Sequence, residues 1–436
     1  MFESNPNILS NGKLLNATEI NILNVMNEEF THVLFGSKNK VACLKPCLIN
    51  GQSHILMSIE EFANYISHYP SIAGYNAGRA WFKWPGKNRK TDGVGFYPAP
   101  NSCPENFFNT FIPTLLKPRA GDCSIYLEHL ENVICQGDKL VFEYLIKFFA
   151  HILQKPAEKP TVAVVVRSIE GTGKGMMVKP LLPIFGAQAI HLNGDRHITG
   201  QFNGAIANKL LIFADEVDLT SSTTADKLKA FISESTIQLE KKGLEAVVIP
   251  NYARIIFASN RPHVIAAGLR ERRYLVLEPG EQQAQNEEYF KNLNNWIENG
   301  GPEKLFYYLS NVDISGFNPF KAPITKALID QKLQSMPADH QFVFEQLFNR
   351  SGFAKMARIP VKELIESFTY WCECHCFKIK IGNARSQIGK IMTAVAGEPF
   401  GRSGRAAGKI YELPNLEIMQ SRFADLLGLS THEIFE

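Results

Sequence analysis

"TVAVVVRSIEGTGKGMM", residues 161–177, carries the reading that decides the fold. Residues 161–167 are a continuous β-branched run, the pattern of a strand buried on both faces. A glycine-rich loop follows, and then a helix-prone stretch. In that context loop N–H groups and a helix N-terminus cradle phosphates. The phosphate-loop spacing is G-x-x-x-x-G-K followed by Ser or Thr, whose hydroxyl helps to hold Mg²⁺. Gly173 and Lys174 fit it, but Ser168 replaces the first glycine and Gly175 stands where the hydroxyl belongs. The candidate nucleotide-binding residues are Glu170, Gly171, Thr172, Gly173, Lys174, Gly175 and Met176, with Lys174 reaching the β and γ phosphates of ATP. Pro180 and Pro183 should kink or shorten the helix after the loop.

Working outward, further strand patterns lie at residues 209–215, 253–259 and 273–278, with helical stretches between some of them. This predicts a parallel α/β core. "LLIFADEVD" ends its apolar run in Asp215 and Glu216. The first can hold Mg²⁺ through water, and the second can polarise the attacking water. "RIIFASN" ends in Asn260, placed to sense a γ-phosphate or orient water. "GLRERRYLVLEP" sets Arg270, Arg272 and Arg273 just before the next strand, where a cation can reach a neighbouring subunit's ATP. Arg272 is the favoured finger and Arg273 the alternative. An ion pair with Glu271 or Glu278 is the plainer role for these arginines.

A chain of 436 residues at 45% apolar composition can bury a large core, and length alone suggests several domains. No apolar span of about 18 residues appears, and "MFESNPNILSNGK" lacks a basic region followed by an apolar run. Neither a membrane partner nor a secretory signal is expected. The eight cysteines form no tight framework, which favours a reduced, cytoplasmic setting. A net charge of +3 is too small to imply nucleic acid by itself.

Residues 1–120 read as a small α+β head. "SIEEFANYISHY" opens with a capping box, Ser58 and Glu61, and "HVLFGSKNKVACL" reads as two strands around a turn. "RAWFKWPGKNRK" interleaves cations with Trp81, Phe82 and Trp84. It can grip single strands, or it is a solvated loop beside buried tryptophans. Residues 121–310 form the core unit with a helical N-terminal collar. "SGFNPFKAP" is a linker, and residues 317–436 form a mainly helical tail. There the helix "PVKELIESFTYWCECHCF" precedes "NARSQIGKIMTAV", a Gly-rich turn and "KIYEL", an arrangement like a winged helix. Residues 378–409 hold seven cations against Glu398 alone. In "WCECHC", Cys374 points away from the face shared by Cys372 and Cys376, so buried free thiols are favoured over zinc.

In this order "GTGKG", "FADE", "EKKG", "FASN" and "RERR" resemble the superfamily 3 helicase module of phage and plasmid replication proteins, over residues 120–285. "HLENVICQGD" and "GQFN" also sit where such modules put similar strings. The resemblance implies an AAA+-type P-loop NTPase core and a homo-oligomeric, hexameric ring driven by Mg-ATP. It also implies 3′ to 5′ unwinding of forked DNA and a primase-polymerase domain on the same or another chain. For a phage-encoded chain the location would be the host cytoplasm. Similar modules often write "GTGKG" without the hydroxyl, and chemistry allows it. ATP oxygens, waters and Asp215 can complete the octahedral shell of Mg²⁺.

"TIQLEKKGLEAVVIP" alternates apolar and polar residues on both sides of Lys242-Gly243, a hairpin pattern. In similar helicases such a hairpin enters the ring channel, so Lys241 and Lys242 become candidate contacts to single-stranded DNA. A solvent-exposed turn is the bland alternative. The rival function is a DNA-binding initiator scaffold that uses ATP only to assemble.

Overall fold

The structure is a computed structural model that describes residues 5–45, 54–194, 198, 200, 203–220, 222–240, 246–268, 271–377, 381–401 and 408–435. At its centre is a five-stranded, wholly parallel sheet. Its strands, in chain order, are Ala163–Arg167, Ala189–Asn193, Leu211–Asp215, Arg254–Ser259 and Tyr274–Leu277. Across the sheet they run fifth, first, fourth, third, second, so the first strand lies inside, paired on both edges.

The β-branched run explains that central place. Along it the side chains alternate between two apolar clusters. Val164 and Val166 join the cluster that contains the helix Lys139–Gln154, while Ala163 and Val165 join the one that contains the helix Ser222–Ser233. A strand with apolar groups on both faces is stable only between two helical layers. Each fully buried Val side chain contributes roughly 1.5–3 kcal/mol. The second strand, Ala189–Asn193, is an edge strand that the apolar patterns miss. Its sequence AIHLN buries only Leu192, and its register sets Asn193 against Asp215.

After the loop the two prolines act as expected. The first helical segment is Lys174–Val178 and a second runs Leu181–Phe185. The collar holds a π-helical turn, His129–Ile134, ahead of the long helix Lys139–Gln154. Among residues before the collar, Phe30–Phe35 and Lys38–Cys43 pair as an antiparallel hairpin within a four-stranded sheet. The Ser58–Glu61 capping box is present. The basic-aromatic stretch is not a loop throughout, because Ala77–Lys83 is a helix capped by Asn76. Trp81 and Trp84 are 0% and 2% exposed, and their indole N–H groups donate to Asn27 Oδ1 and the Pro6 carbonyl. Those two rings belong to a core and have no free face for a base.

The helix Lys326–Gln334 links two cores. Ala327 and Leu328 pack with the sheet, whereas Ile329 packs with a separate C-terminal cluster. That cluster is built from the helices Ala338–Phe348, Val361–Cys374, Ile381–Ala396 and Leu416–Leu427. The strands Arg358–Pro360 and Ile410–Glu412 pair antiparallel beside them. Cys372 is buried, while Cys374 and Cys376 are exposed. Among the described residues, no helix is long and apolar enough to cross a membrane, and no cluster of three or more His, Cys, Asp or Glu side chains could hold a metal ion.

Candidate functional site

The C-terminal ends of the first, third and fourth core strands open onto one cleft of about 960 Å³. In parallel α/β sheets this is the end at which ligands bind. The loop from Glu170 to Met176 lines it, together with Asp215, Glu216 and Asn260. Residues from three separate stretches of sequence thus meet because their strands are neighbours in the sheet.

The loop's shape depends on its glycines. Gly171 and Gly173 have φ values of +79° and +92°, in the left-handed region that side chains disfavour. Ser168 Oγ and Thr172 Oγ1 lie 2.6 Å apart, and Thr172 Oγ1 donates to the Ile169 carbonyl at 3.1 Å, which ties the loop across its base. Thr172 is 1% exposed, so it braces the loop from beneath. A Cβ added at Gly175 would meet no atom within 4 Å, so the first helical turn leaves open space there.

Lys174 Nζ donates to the Ser168 carbonyl at 3.1 Å and to Asn260 Oδ1. Burial pushes its pKa down, while the Asp215 and Glu170 carboxylates pull it back up. Asn260 Nδ2 donates to Glu170 Oε1 at 3.5 Å, which joins the fourth strand to the loop. Asp215 Oδ1 accepts the Glu216 N–H at 2.9 Å, and Glu216 itself sits at φ +55°. A non-glycine residue held there costs of order 1–3 kcal/mol and turns the chain sharply out of its strand. The result is one half-buried carboxylate beside one exposed carboxylate at the cleft wall.

The arginines are elsewhere. Neither Arg272 nor Arg273 lines the cleft. Arg273 Nε donates to Ser233 Oγ at 2.9 Å and its Nη1 pairs with Glu271 at 3.4 Å. Arg272 is exposed, with its backbone N–H donating to Glu271 Oε1 at 3.0 Å. Glu278 does not serve these arginines, since Arg167 Nη2 holds it at 2.8 Å. The hairpin strands Thr236–Leu239 and Val247–Pro250 pair antiparallel. Lys241 and Lys242 lie outside the described residues, as does Arg270.

The sequence reading missed the other walls of the cleft. His191 stands on the edge strand, 4.7 Å from the Phe213 ring centroid to centroid. Gln285, Glu287 and Phe290 come from the start of the helix Glu287–Glu298 and the turn before it. Behind the loop, His129 Nε2 lies 3.3 Å from the Gly173 carbonyl and Nδ1 lies 2.9 Å from Tyr289 Oη. Burial pushes His129 down to about 4, against the opposing effect of the Gly173 carbonyl. No spacing links these residues to the loop, because His129 is 44 residues away from Gly173.

Residues 166–273 match a family of unknown function, DUF5906. A DNA primase-polymerase of Nitratiruptor phage NrS-1 is 24% identical over 253 residues, which is 55% of this chain and 33% of that protein. The chain thus matches over about a third of that relative's length. The apo structure of the NrS-1 C-terminal region (305–718) has a TM-score of 0.68 at 18% identity, covering 91% of this chain and 99% of that one. An A-form apo structure of the same region gives 0.67 at 18% identity, covering 90% and 98%. Over most of its length, then, this chain has a fold similar to that of the C-terminal region of the NrS-1 protein.

Proposed function

We propose that this chain is the ATP-driven motor of a DNA replication protein, a ring helicase of the AAA+ type. The observation that carries the reading is the single cleft that gathers Lys174, Asp215, Glu216 and Asn260 at the C-terminal ends of parallel strands. The residues fit Mg-ATP. The ammonium of Lys174 is held at the loop mouth, beside the open space at Gly175 and a carboxylate at Asp215 that can accept a divalent cation. Bound Mg²⁺ would neutralise charge on the phosphates. Lys174 binds the β and γ phosphates, Asn260 orients the γ-phosphate, and Glu216 accepts a proton from the attacking water. Residues 121–310 form the motor, with 1–120 as its head and 317–436 as its tail. Arg272, exposed and away from its own cleft, acts on the ATP of the next subunit in a hexamer. Lys241 and Lys242, between the hairpin strands, grip single-stranded DNA in the channel. The likeness to a protein named a DNA primase-polymerase supports a replicative role beside such a domain.

The test is ATP hydrolysis with and without single-stranded DNA, together with unwinding of a forked duplex. DNA-stimulated turnover with strand separation is expected. Lys174→Ala should lower turnover by about 10²–10³, the scale of one preorganised charge on the transition state. Normal hydrolysis by that variant would remove the site from this role. Turnover without unwinding would favour an initiator scaffold.

A further inference from the structure

We infer that His129 is a positioning residue of the phosphate-binding loop, locking the Gly173–Lys174 peptide from behind so that its N–H group faces the cleft. This rests on the nucleotide reading above and adds to it a part that comes from the collar. A carbonyl oxygen can only accept, so the Nε2 atom that lies 3.3 Å from Gly173 O must carry the hydrogen. Nδ1 is then bare and accepts the Tyr289 hydroxyl at 2.9 Å. Tyr289 therefore selects the tautomer that His129 needs, as outer partners of an imidazole commonly do. Burial keeps the ring neutral and keeps Tyr289 protonated, pushing it up to about 12.

The geometry gives that hydrogen bond its effect. In a planar trans peptide the C=O and the next N–H point to opposite sides. Gly173 O already accepts from Met176 N at 3.0 Å and Met177 N at 3.3 Å, so it points down the helix. His129 adds a donor from the side, on a different element. Gln285 N donates in the same way to Gly171 O at 3.2 Å. Two carbonyls of the loop are thus held by neighbouring elements, Gly173 O from behind by His129 and Gly171 O from the cleft wall by Gln285. The fit leaves no slack. A Cβ at Gly173 would stand 2.6 Å from His129 Cε1 and 2.8 Å from Phe290 Cε1. His129 is fully buried within a π-helical turn, a local geometry often found at functional sites.

The experiment compares ATP turnover and thermal melting of the full chain with those of His129→Phe, His129→Gln, Tyr289→Phe and Lys174→Ala. His129→Phe keeps the ring and removes the donor, so the KM for ATP should rise about tenfold while kcat falls less than about threefold, the value of one hydrogen bond. His129→Gln restores an N–H donor and should return KM to within about threefold of the parent. Tyr289→Phe should raise KM about threefold and add nothing to His129→Phe in the double variant, because the two act in series. A purely structural histidine would lower the melting temperature of each variant without this KM pattern or its rescue. A folded His129→Phe with the parent KM overturns the inference, and so does a folded His129→Gln as impaired as a folded His129→Phe. If His129→Phe does not fold, the KM values of His129→Gln and Tyr289→Phe decide by the same limits. Loss of turnover in Lys174→Ala alone would leave the nucleotide reading standing while His129 loses its role.

Discussion

The two ends of the central sheet both concentrate cations, and they treat them in opposite ways. At the C-terminal end, Lys174 faces an open cleft and is shared between one backbone carbonyl and the side chain of Asn260. At the other end, Arg254 is 1% exposed and surrounded by carbonyls. Its Nη1 donates to Pro156 O at 2.7 Å and Tyr252 O at 2.8 Å, and its Nη2 donates to Lys155 O at 2.7 Å and to Glu158 O. Lys159 beside it donates to Ala253 O and lies over the Phe231 ring at 5.4 Å. A buried cation whose two terminal nitrogens are both spent on backbone carbonyls anchors a turn to a strand and presents no face to a ligand. A cation whose partners are few and displaceable can exchange them for phosphate. Charge alone therefore does not mark a site. The end of the sheet and the kind of acceptor do.

The largest effect should come from the open end. Glu216→Gln and Arg272→Ala should each be nearly inactive in ATP hydrolysis, since an arginine finger is worth about 10³–10⁵ in rate. Mixed together, some interfaces pair an intact Glu216 with an intact Arg272, and activity should partly return. If mixed rings form and turnover does not recover, Arg272 does not act across a subunit boundary.

The closed end should answer in stability. Arg254→Leu takes a donor from four carbonyls, of which Lys155 O keeps the Glu158 N–H, and should destabilise the chain by about 3–5 kcal/mol, at roughly 1–3 kcal/mol for each buried acceptor left unpaired. Chemical denaturation measures this. A variant that keeps its stability but loses ATP turnover would reverse the roles assigned to the two ends.

The smallest effect concerns Lys159. Its stem is partly exposed, but burial of the ammonium, with Arg254 adding repulsion, pushes its pKa down to about 7. An unfolded lysine titrates near 10.4, so between about pH 7 and pH 10 the unfolded chain binds more protons than the folded one. Stability should therefore rise with pH across that window. Lys159→Met should flatten the slope in denaturation curves taken at several pH values. An unchanged slope would mean that the enclosed cation lies elsewhere.

Much of the architecture was determined by the sequence alone, wherever a local pattern has one physical solution. A β-branched run such as residues 161–167 must be buried on both faces, and glycines at 171 and 173 supply the positive φ that the loop needs. Acids placed directly after an apolar strand, Asp215 and Glu216, had to emerge at its end. Only the tertiary structure decided what stands next to what. The edge strand Ala189–Asn193 has too few apolar residues to announce itself, and pairing with Leu211–Asp215 makes it a strand. Composition left Trp81 and Trp84 either stacking platforms or core residues, and packing decided for the core. His129 reaches the loop across 44 residues of chain, and Tyr289 reaches His129 across 160, through contacts that no period or spacing encodes. Local propensity acts over a few residues, whereas a buried polar group takes whatever partner the packed core brings within reach.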